Sequence, residues 1–140
     1  MLRKKKAPTA SQKVKSNASK LHAKVFELCK QRFPLFTIFQ EYTIECDDRG
    51  EKKCLFVDIF IKELSLAIEC QGEQHFKPNA FFYGGSFEFK RAKDRDELKK
   101  NWCKENGIVL VFFKYNDKLT TEFFNKTIDT ALRREYERRK

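Results

Sequence analysis

The sequence lacks a long apolar run, a paired-cysteine motif and, near its start, any acidic residue. No apolar stretch approaches the length of about 18 residues that a membrane-spanning helix requires. The five cysteines are odd in number and show no CxxC spacing, so neither a disulfide framework nor a structural zinc site is expected. The basic start is not followed by an apolar segment and does not resemble a secretory signal. These absences predict reduced thiols and a location in the cytoplasm, nucleoid or nucleus rather than secretion.

Positive charge is concentrated at the two ends of the chain, which has a net charge of +10. Residues 1–20 hold seven Lys or Arg and no acid, residues 131–140 hold five against two Glu, and residues 21–130 are balanced. Basic ends of this kind favour a polyanion such as DNA or RNA, whose phosphates they would contact; a solubilising tail is the alternative. The predicted nucleic-acid contacts are Arg3, Lys4, Lys5, Lys6, Lys13, Lys15, Lys77 and Arg91.

The order of predicted elements is α–β–β–β–α–β–α, which implies an α/β fold with a mixed four-stranded sheet flanked by helices. We expect a disordered basic tail over 1–18, one folded domain over 19–132 and a basic end over 133–140. The predicted elements are a helix over 20–32 capped by Ser19, a strand over 36–45, a turn over 47–50, a hairpin over 55–71, a helix over 86–106, a strand over 108–113 and a helix from Thr120.

Two of these elements, the hairpin and the later apolar strand, have the most informative patterns. The hairpin alternates apolar and polar positions, as strands do, and carries Asp58 on one strand and Glu69 on the other. Pairing around Glu63 would place Asp58 opposite either Ile68 or Glu69. The later run IVLVFF is apolar throughout, which predicts a strand in the middle of the sheet, buried on both faces.

Asp58, Glu69 and Gln71 form the candidate site, because the last two face the same side of their strand. Two neighbouring carboxylates suit Mg²⁺ or Mn²⁺, which would activate a water for attack on a phosphodiester. His75 follows the hairpin and could transfer a proton. An exposed carboxylate pair on a hairpin is the alternative reading.

The segments AIECQGEQHF and RDELKKNWCKENGIVLVFF carry a family resemblance. With Asp58 they resemble the PD-(D/E)XK nuclease core, and in particular the very-short-patch-repair-like endonucleases with their homing and phage relatives. Those proteins have an acid-x-(D/Q)-G-x-x-H run, a helix with a D-x-x-(K/R) motif, and a Gly before the last strand. The resemblance covers roughly residues 19–115.

This resemblance implies a restriction-endonuclease-like αβββαβ core followed by a C-terminal helix, and a set of site residues. It assigns metal binding to Asp58, Glu69 and the backbone carbonyl of Cys70, and catalysis to Asp58, Glu69, Gln71, His75, Asp96, Lys99 and His22. Gln71 stands where the motif usually has Lys, and His22 stands where relatives often have Glu. For Asp96 with Lys99 a helix surface pair is the alternative, and for His22 a packing role at the edge of the core.

The expected function is that of a Mg²⁺- or Mn²⁺-dependent endodeoxyribonuclease that nicks or cleaves DNA. A nucleic-acid-binding or assembly module that kept the fold and lost cleavage is the rival, and a structure-specific or RNA-directed nuclease is a third hypothesis. A chain of 140 residues that cuts both strands would need to dimerise, so a second copy is a predicted partner beside DNA or RNA.

Overall fold

The protein is described here from a computed structural model, over residues 17–73 and 86–140. Its elements are α1 (Asn17–Arg32), β1 (Ile38–Asp48), β2 (Glu51–Ile61), β3 (Leu66–Gln71), α2 (Ser86–Glu105), β4 (Val109–Lys114) and α3 (Thr121–Arg139). The strands form one sheet in the order β1-β2-β3-β4, antiparallel except for the parallel β3–β4 pair. The predicted α/β class, element order and mixed four-stranded sheet are therefore confirmed. Over the described ranges, no helix is both long enough and apolar enough to cross a membrane.

Several predicted boundaries shift by a few residues. Helix α1 begins at Asn17, so Ser19 lies in its first turn rather than at its N-cap. The cap signal is ambiguous there, because Asn and Ser both start helices well. At the other end of the fold, the hydroxyl of Thr120 accepts the amide of Phe123 at 3.0 Å and confirms the start of the last helix. Gly107 has the expected left-handed conformation, with a φ of +67°.

The β1–β2 hairpin is longer than predicted and ends in a tighter turn. Its strands reach Asp48 and restart at Glu51, so Arg49 and Gly50 alone make the turn. Their φ angles of +55° and +87° are typical of the two-residue turns that match strand twist. The carboxylate of Asp47 accepts the amide of Gly50 at 2.9 Å and closes this turn.

Two apolar layers cover the sheet, one on each face. In the first, helices α1 and α3 pack on side chains that include Ile59, Ile68 and Phe113. In the second, α2 packs through Cys103 on a smaller group that includes Ala67. Every residue of β3 is buried, because this short strand has a neighbour on each side and helices on both faces. Leu66, Ile68 and Cys70 pack in the first layer and Ala67 in the second, which confirms the predicted alternation along β3.

Strand β4 lies at the edge of the sheet, and its predicted central position is wrong. The central, fully buried strand is β3, which carries the candidate Glu69 and Gln71. An uninterrupted apolar run indicates that both faces of a strand are buried. This is true of β4, because Val111 packs in the α1–α3 layer and Leu110 in the α2 layer. The run contains no information on whether a second strand pairs with its outer edge.

The alternation of β2 changes register at Asp58. Ile59 and Ile61 pack in the α1–α3 layer, whereas Val57 packs in the α2 layer together with Phe60. The pairing of β1 with β2 is interrupted at the same level, where Glu41 has a φ of +51°. Asp58 therefore lies at a break in the pleat of β2. The prediction of strict alternation along residues 55–61 is wrong at this point.

Candidate active site

The register of the β2–β3 hairpin brings Asp58 level with Glu69. The last regular pair of the ladder is Ile59 with Ile68, so the next position on each strand is a carboxylate. Of the two predicted registers, the one that opposes Asp58 to Glu69 is the one found. The regular ladder ends there, and side chains take over the hydrogen bonding between the two strands.

Each carboxylate binds the backbone of the other strand. The Cys70 amide donates to Asp58 Oδ2 at 2.7 Å, and the Asp58 amide donates to Glu69 Oε2 at 3.3 Å. A carboxylate that accepts a backbone amide is held in one orientation by that bond. The two acids are thereby fixed relative to each other before any ligand binds.

Glu69 is buried, with 5% of its surface exposed, and Lys99 of α2 is its charge partner. Lys99 Nζ lies 2.6 Å from Glu69 Oε1, yet this oxygen makes no well-directed hydrogen bond. Burial raises the pKa of Glu69 to about 8; the Asp58 carboxylate adds to this rise, and Lys99 opposes it. A buried acid with an incompletely satisfied oxygen is destabilised as an anion unless more positive charge approaches. The alternative of a solvent-facing carboxylate pair is therefore wrong for Glu69, whereas the Asp58 side chain is 30% exposed.

The Cys70 carbonyl faces the same side of β3 as its amide. The carbonyls of Ser65 and Gln71 accept bonds from the amides of Val109 and Tyr115, at 2.9 Å and 2.8 Å, so the odd-numbered residues of β3 turn toward β4. Cys70 is even-numbered and its amide reaches Asp58. Since the amide and carbonyl of one residue point the same way in a strand, the Cys70 carbonyl also turns toward the Asp58 side. This orientation suits its predicted role.

His22 reaches the site from α1, where Gln40 of β1 holds its ring. His22 Nε2 lies 3.0 Å from Gln40 Oε1, and Nδ1 lies 4.0 Å from Asp58 Oδ1. With Gln40 accepting, the Nε2 nitrogen carries a proton and Nδ1 is turned toward the carboxylates. Sequence reasoning missed Gln40. The only available signal was its place on a strand that pairs with β2.

Asp96 and Lys99 do not form the helix surface pair that was the alternative. Lys99 contacts Glu69, while Asp96 is 8% exposed and accepts a long bond of 3.5 Å from Gln71 Nε2. Residues three apart share a face of a helix, and residues two apart share a face of a strand. Successive contacts along α2 therefore reach alternate residues of β3.

The structure brings together His22, Asp58, Glu69, Gln71, Asp96 and Lys99, six of the seven predicted catalytic side chains. The seventh, His75, lies outside the described residues, as do the predicted phosphate contacts Arg3, Lys4, Lys5, Lys6, Lys13, Lys15 and Lys77. Arg91 is described: it is exposed on α2 and lines a cavity of about 450 Å³ between that helix and the β1–β2 hairpin. Its role as a phosphate contact stays a prediction.

The donor set fits a hard divalent cation, although it is small. Asp58 and Glu69 offer carboxylate oxygens, the Cys70 carbonyl faces the same side, and Glu69 Oε1 lacks a directed hydrogen bond. In the described part of the chain, no group of three or more His, Cys, Asp or Glu side chains is placed to hold a metal. An ion held here would therefore keep several waters, which is usual for Mg²⁺.

The chain is similar to three viral proteins of undefined function. It is 38% identical over 66 residues to uncharacterized protein 033L of Invertebrate iridescent virus 3, and these residues are 47% of this chain and 34% of that protein. It is 33% identical over 73 residues to uncharacterized protein 307L of Invertebrate iridescent virus 6, covering 51% and 37% of the two chains. The third is uncharacterized protein 094L of Frog virus 3, 31% identical over 77 residues, with 54% and 50% covered.

The chain spans between about a third and a half of the length of these relatives. No protein-family model matches it, and no solved structure does.

Proposed function

We propose that the protein is a Mg²⁺- or Mn²⁺-dependent endonuclease that hydrolyses phosphodiester bonds in DNA. The observation that carries this proposal is the interlocked pair of Asp58 and Glu69, with the buried Glu69 carboxylate beside Lys99. Keeping two acids together in this way costs stability, because burial and mutual repulsion both disfavour the charged forms. Such a cost is typical of a site that recruits a cation. The substrate would be met in the cytoplasm, nucleoid or nucleus.

Asp58, Glu69 and the Cys70 carbonyl would hold the ion, which supplies charge neutralisation and a more acidic bound water. Lys99 then stabilises negative charge next to Glu69, in the region where the usual motif lysine is replaced by Gln71. His22 presents Nδ1 to the same region and is suited to accept or donate a proton. Gln71 is held by Asp96 at the rim, where its amide can orient a water or a phosphate oxygen.

The test is nicking of supercoiled plasmid with Mg²⁺ or Mn²⁺ by the wild type and by Asp58→Asn. Asn keeps an oxygen that accepts the Cys70 amide, so the variant removes charge while it preserves the hydrogen bond. We expect metal-dependent nicking to fall by roughly 100-fold or more. Glu45→Gln, which removes an exposed charge from β1, is the matched control and should nick like the wild type. Equal nicking by Asp58→Asn and wild type would refute the proposal.

A DNA-binding module without cleavage is the second candidate, and Gln71 at the usual lysine position favours it. Under that function the wild type would bind DNA and would nick plasmid with neither metal. Titration with Mn²⁺ separates the candidates further, since a protein that only binds DNA does not need an affinity for the ion that depends on Asp58.

A further inference from the structure

Strand β4 presents an apolar outer edge that no described residue pairs with. The amides of Val109 and Tyr115 donate toward β3, at 2.9 Å and 2.8 Å, so the even-numbered residues between them turn their amides and carbonyls outward. The outward residues include Leu110 and Phe112. At one end the edge is closed, because Asp117 accepts the outward Lys114 amide at 2.7 Å. Exposed strand edges are normally blunted or used for binding.

A groove runs along this edge between α2 and α3. Two cavities of about 530 Å³ and 540 Å³ share Leu110, Phe112, Ala131 and Arg134. A third, of about 380 Å³, shares Phe112 and Lys100 with the first of these two cavities. Phe112 lines all three, so they form one continuous groove along the edge.

One end of the groove opens on the candidate active site. The third cavity is lined by Gln71 and Asp96, the pair at the rim of that site. A ligand that lies in the groove therefore reaches Gln71 and Asp96, and Gln71 is two residues from Glu69 on the same face of β3. The β4 edge is thereby connected to the candidate active site. A docking surface with no role in the proposed chemistry would not need to end there.

The groove carries surplus positive charge. Lys104, Lys126 and Arg134 line it, and none of them forms an ion pair or a hydrogen bond with another described residue. Over the three cavities, seven Lys or Arg side chains face four acids. Three of these acids, Asp94, Asp96 and Glu97, lie at the end next to the candidate site, and the fourth, Glu135, is bound to Arg138 and Arg139. A second copy paired edge to edge would bring equal cations together, so a polyanion fits this groove better.

The floor of the groove favours a single nucleic-acid strand over a duplex. Phe112 offers an aromatic ring, and Lys100 Nζ lies 5.5 Å from its centre. The outward amides of the edge are donors for phosphate or base oxygens. Aromatic rings among cations are the usual platform for unpaired bases, which stack without sequence preference.

We propose that the β4 edge groove binds a single nucleic-acid strand that enters or leaves the candidate active site. The inference rests on the proposed nuclease function for the direction of the strand, and it names the class of substrate as single-stranded or locally unpaired. Lys126 and Arg134 contact its phosphates, and Phe112 contacts a base.

The test measures binding of a labelled thymidine oligonucleotide of about 15 residues, and of a duplex of the same length, by fluorescence anisotropy without divalent metal. The full chain is compared with Lys126→Glu/Arg134→Glu and with the matched control Lys62→Glu/Arg133→Glu, which reverses two exposed charges outside the groove. We expect the wild type to bind the single strand more tightly than the duplex. The groove variant should lose about 10-fold or more in single-strand affinity and about 1.4 in salt slope, because two phosphate contacts disappear. The control should lose far less.

The groove proposal would be refuted if the two charge-reversal variants lost equal single-strand affinity, or if the wild type bound the duplex more tightly than the single strand. It would also be refuted by a wild-type dimer that the groove variant alone dissociates, since the edge would then be an interface between copies. The plasmid assay keeps the two proposals apart. Groove-dependent binding without nicking refutes the nuclease alone, whereas nicking and single-strand binding that survive Lys126→Glu/Arg134→Glu refute the groove alone. Circular dichroism confirms that each variant is folded.

Discussion

Asp58 and Glu69 each accept a hydrogen bond from the backbone of the other's strand, at 2.7 Å and 3.3 Å. The β2–β3 ladder ends at this point, so the acids replace the backbone bonds that a regular hairpin would make. Their geometry is therefore a property of the sheet itself and does not depend on a loop. Such preorganisation is valuable at a site that must hold a cation, because the cost of ordering the ligands is met during folding.

The first prediction concerns the stability of the protein between about pH 4.5 and 8. The folded-state pKa of Glu69, about 8, lies above its ordinary value of 4.5, so the folded protein retains a proton that the unfolded chain releases. The free energy of unfolding should therefore fall as pH rises through this window, by roughly 1 to 4 kcal/mol from this group. Glu69→Gln should flatten the slope, measured by urea denaturation without metal.

Glu69→Gln also removes the charge partner of Lys99, so the comparison uses the slope of stability against pH and not the absolute stability. The control is Glu45→Gln, an exposed residue whose substitution should keep the wild-type slope. An unchanged slope in Glu69→Gln would mean that Glu69 titrates equally in the folded and unfolded chains.

The second prediction is that Mn²⁺ binding strengthens as pH rises toward 8. An ion binds the carboxylate form of Glu69, whose pKa is raised to about 8 by burial, so it must displace a proton at lower pH. Calorimetry in two buffers with different ionisation enthalpies should detect proton release near pH 6 and much less near pH 9. Asp58→Asn should lose the heat of binding at both pH values. Binding that is strong and independent of pH would place the ion elsewhere.

The third prediction separates Lys99 from the other lysines of α2. Lys99→Met should lower the nicking rate to about 1% of the wild-type rate or less, because the buried Glu69 carboxylate loses its cation and, under the proposed function, so does the reacting phosphate. The pKa of Glu69 should also rise, since Lys99 now lowers it, and Mn²⁺ binding should require a higher pH. Lys90→Met removes an exposed cation from the same helix and should nick normally.

The hairpin carried more information than the rest of the chain. Its short loop limited the residue opposite Asp58 to Ile68 or Glu69, of which the structure has Glu69, and Gly107 predicted the end of α2. These features are local, so a single sequence contains them. Contacts between residues far apart in the sequence are not local in this sense. Gln40 reaches His22 because β1 pairs with β2, and no pattern in the sequence predicts that contact.

The misplacement of β4 has a related cause. The run from Ile108 to Phe113 reflects burial of its two faces by helices, whereas the sheet order depends on which strand edges pair. Hydrophobicity reports burial and contains little about pairing. The break at Asp58 was also hidden, since side-chain polarity does not reveal the irregular backbone of Glu41 on the neighbouring strand.

The fourth prediction is that Gln40 acts on nicking through His22. Gln40→Leu removes the acceptor that orients the imidazole, so the nicking rate should fall by about 10-fold while His22→Ala costs about 100-fold. In the double variant the loss should equal that of His22→Ala alone, because residues that act through one another are not additive. Gln31→Ala on α1 is the exposed control. Fully additive losses would show that Gln40 contributes independently of His22.

The fifth prediction uses Gln71, which stands where the motif usually has Lys. Gln71 is 9% exposed and its amide donates to the buried Asp96, so a lysine introduced there would find an anion within reach. Gln71→Lys alone should therefore be tolerated. When it is combined with Asp96→Asn, the free energy of unfolding should fall by about 1 to 3 kcal/mol more than the sum of the two single effects. Urea denaturation measures both, and Asp94→Asn, an exposed acid two residues away, gives the control background in which the effects should add. Additivity with Asp96→Asn would mean that Asp96 does not provide charge compensation at position 71, and it would contradict the proposal that Asp96 holds the side chain at that position.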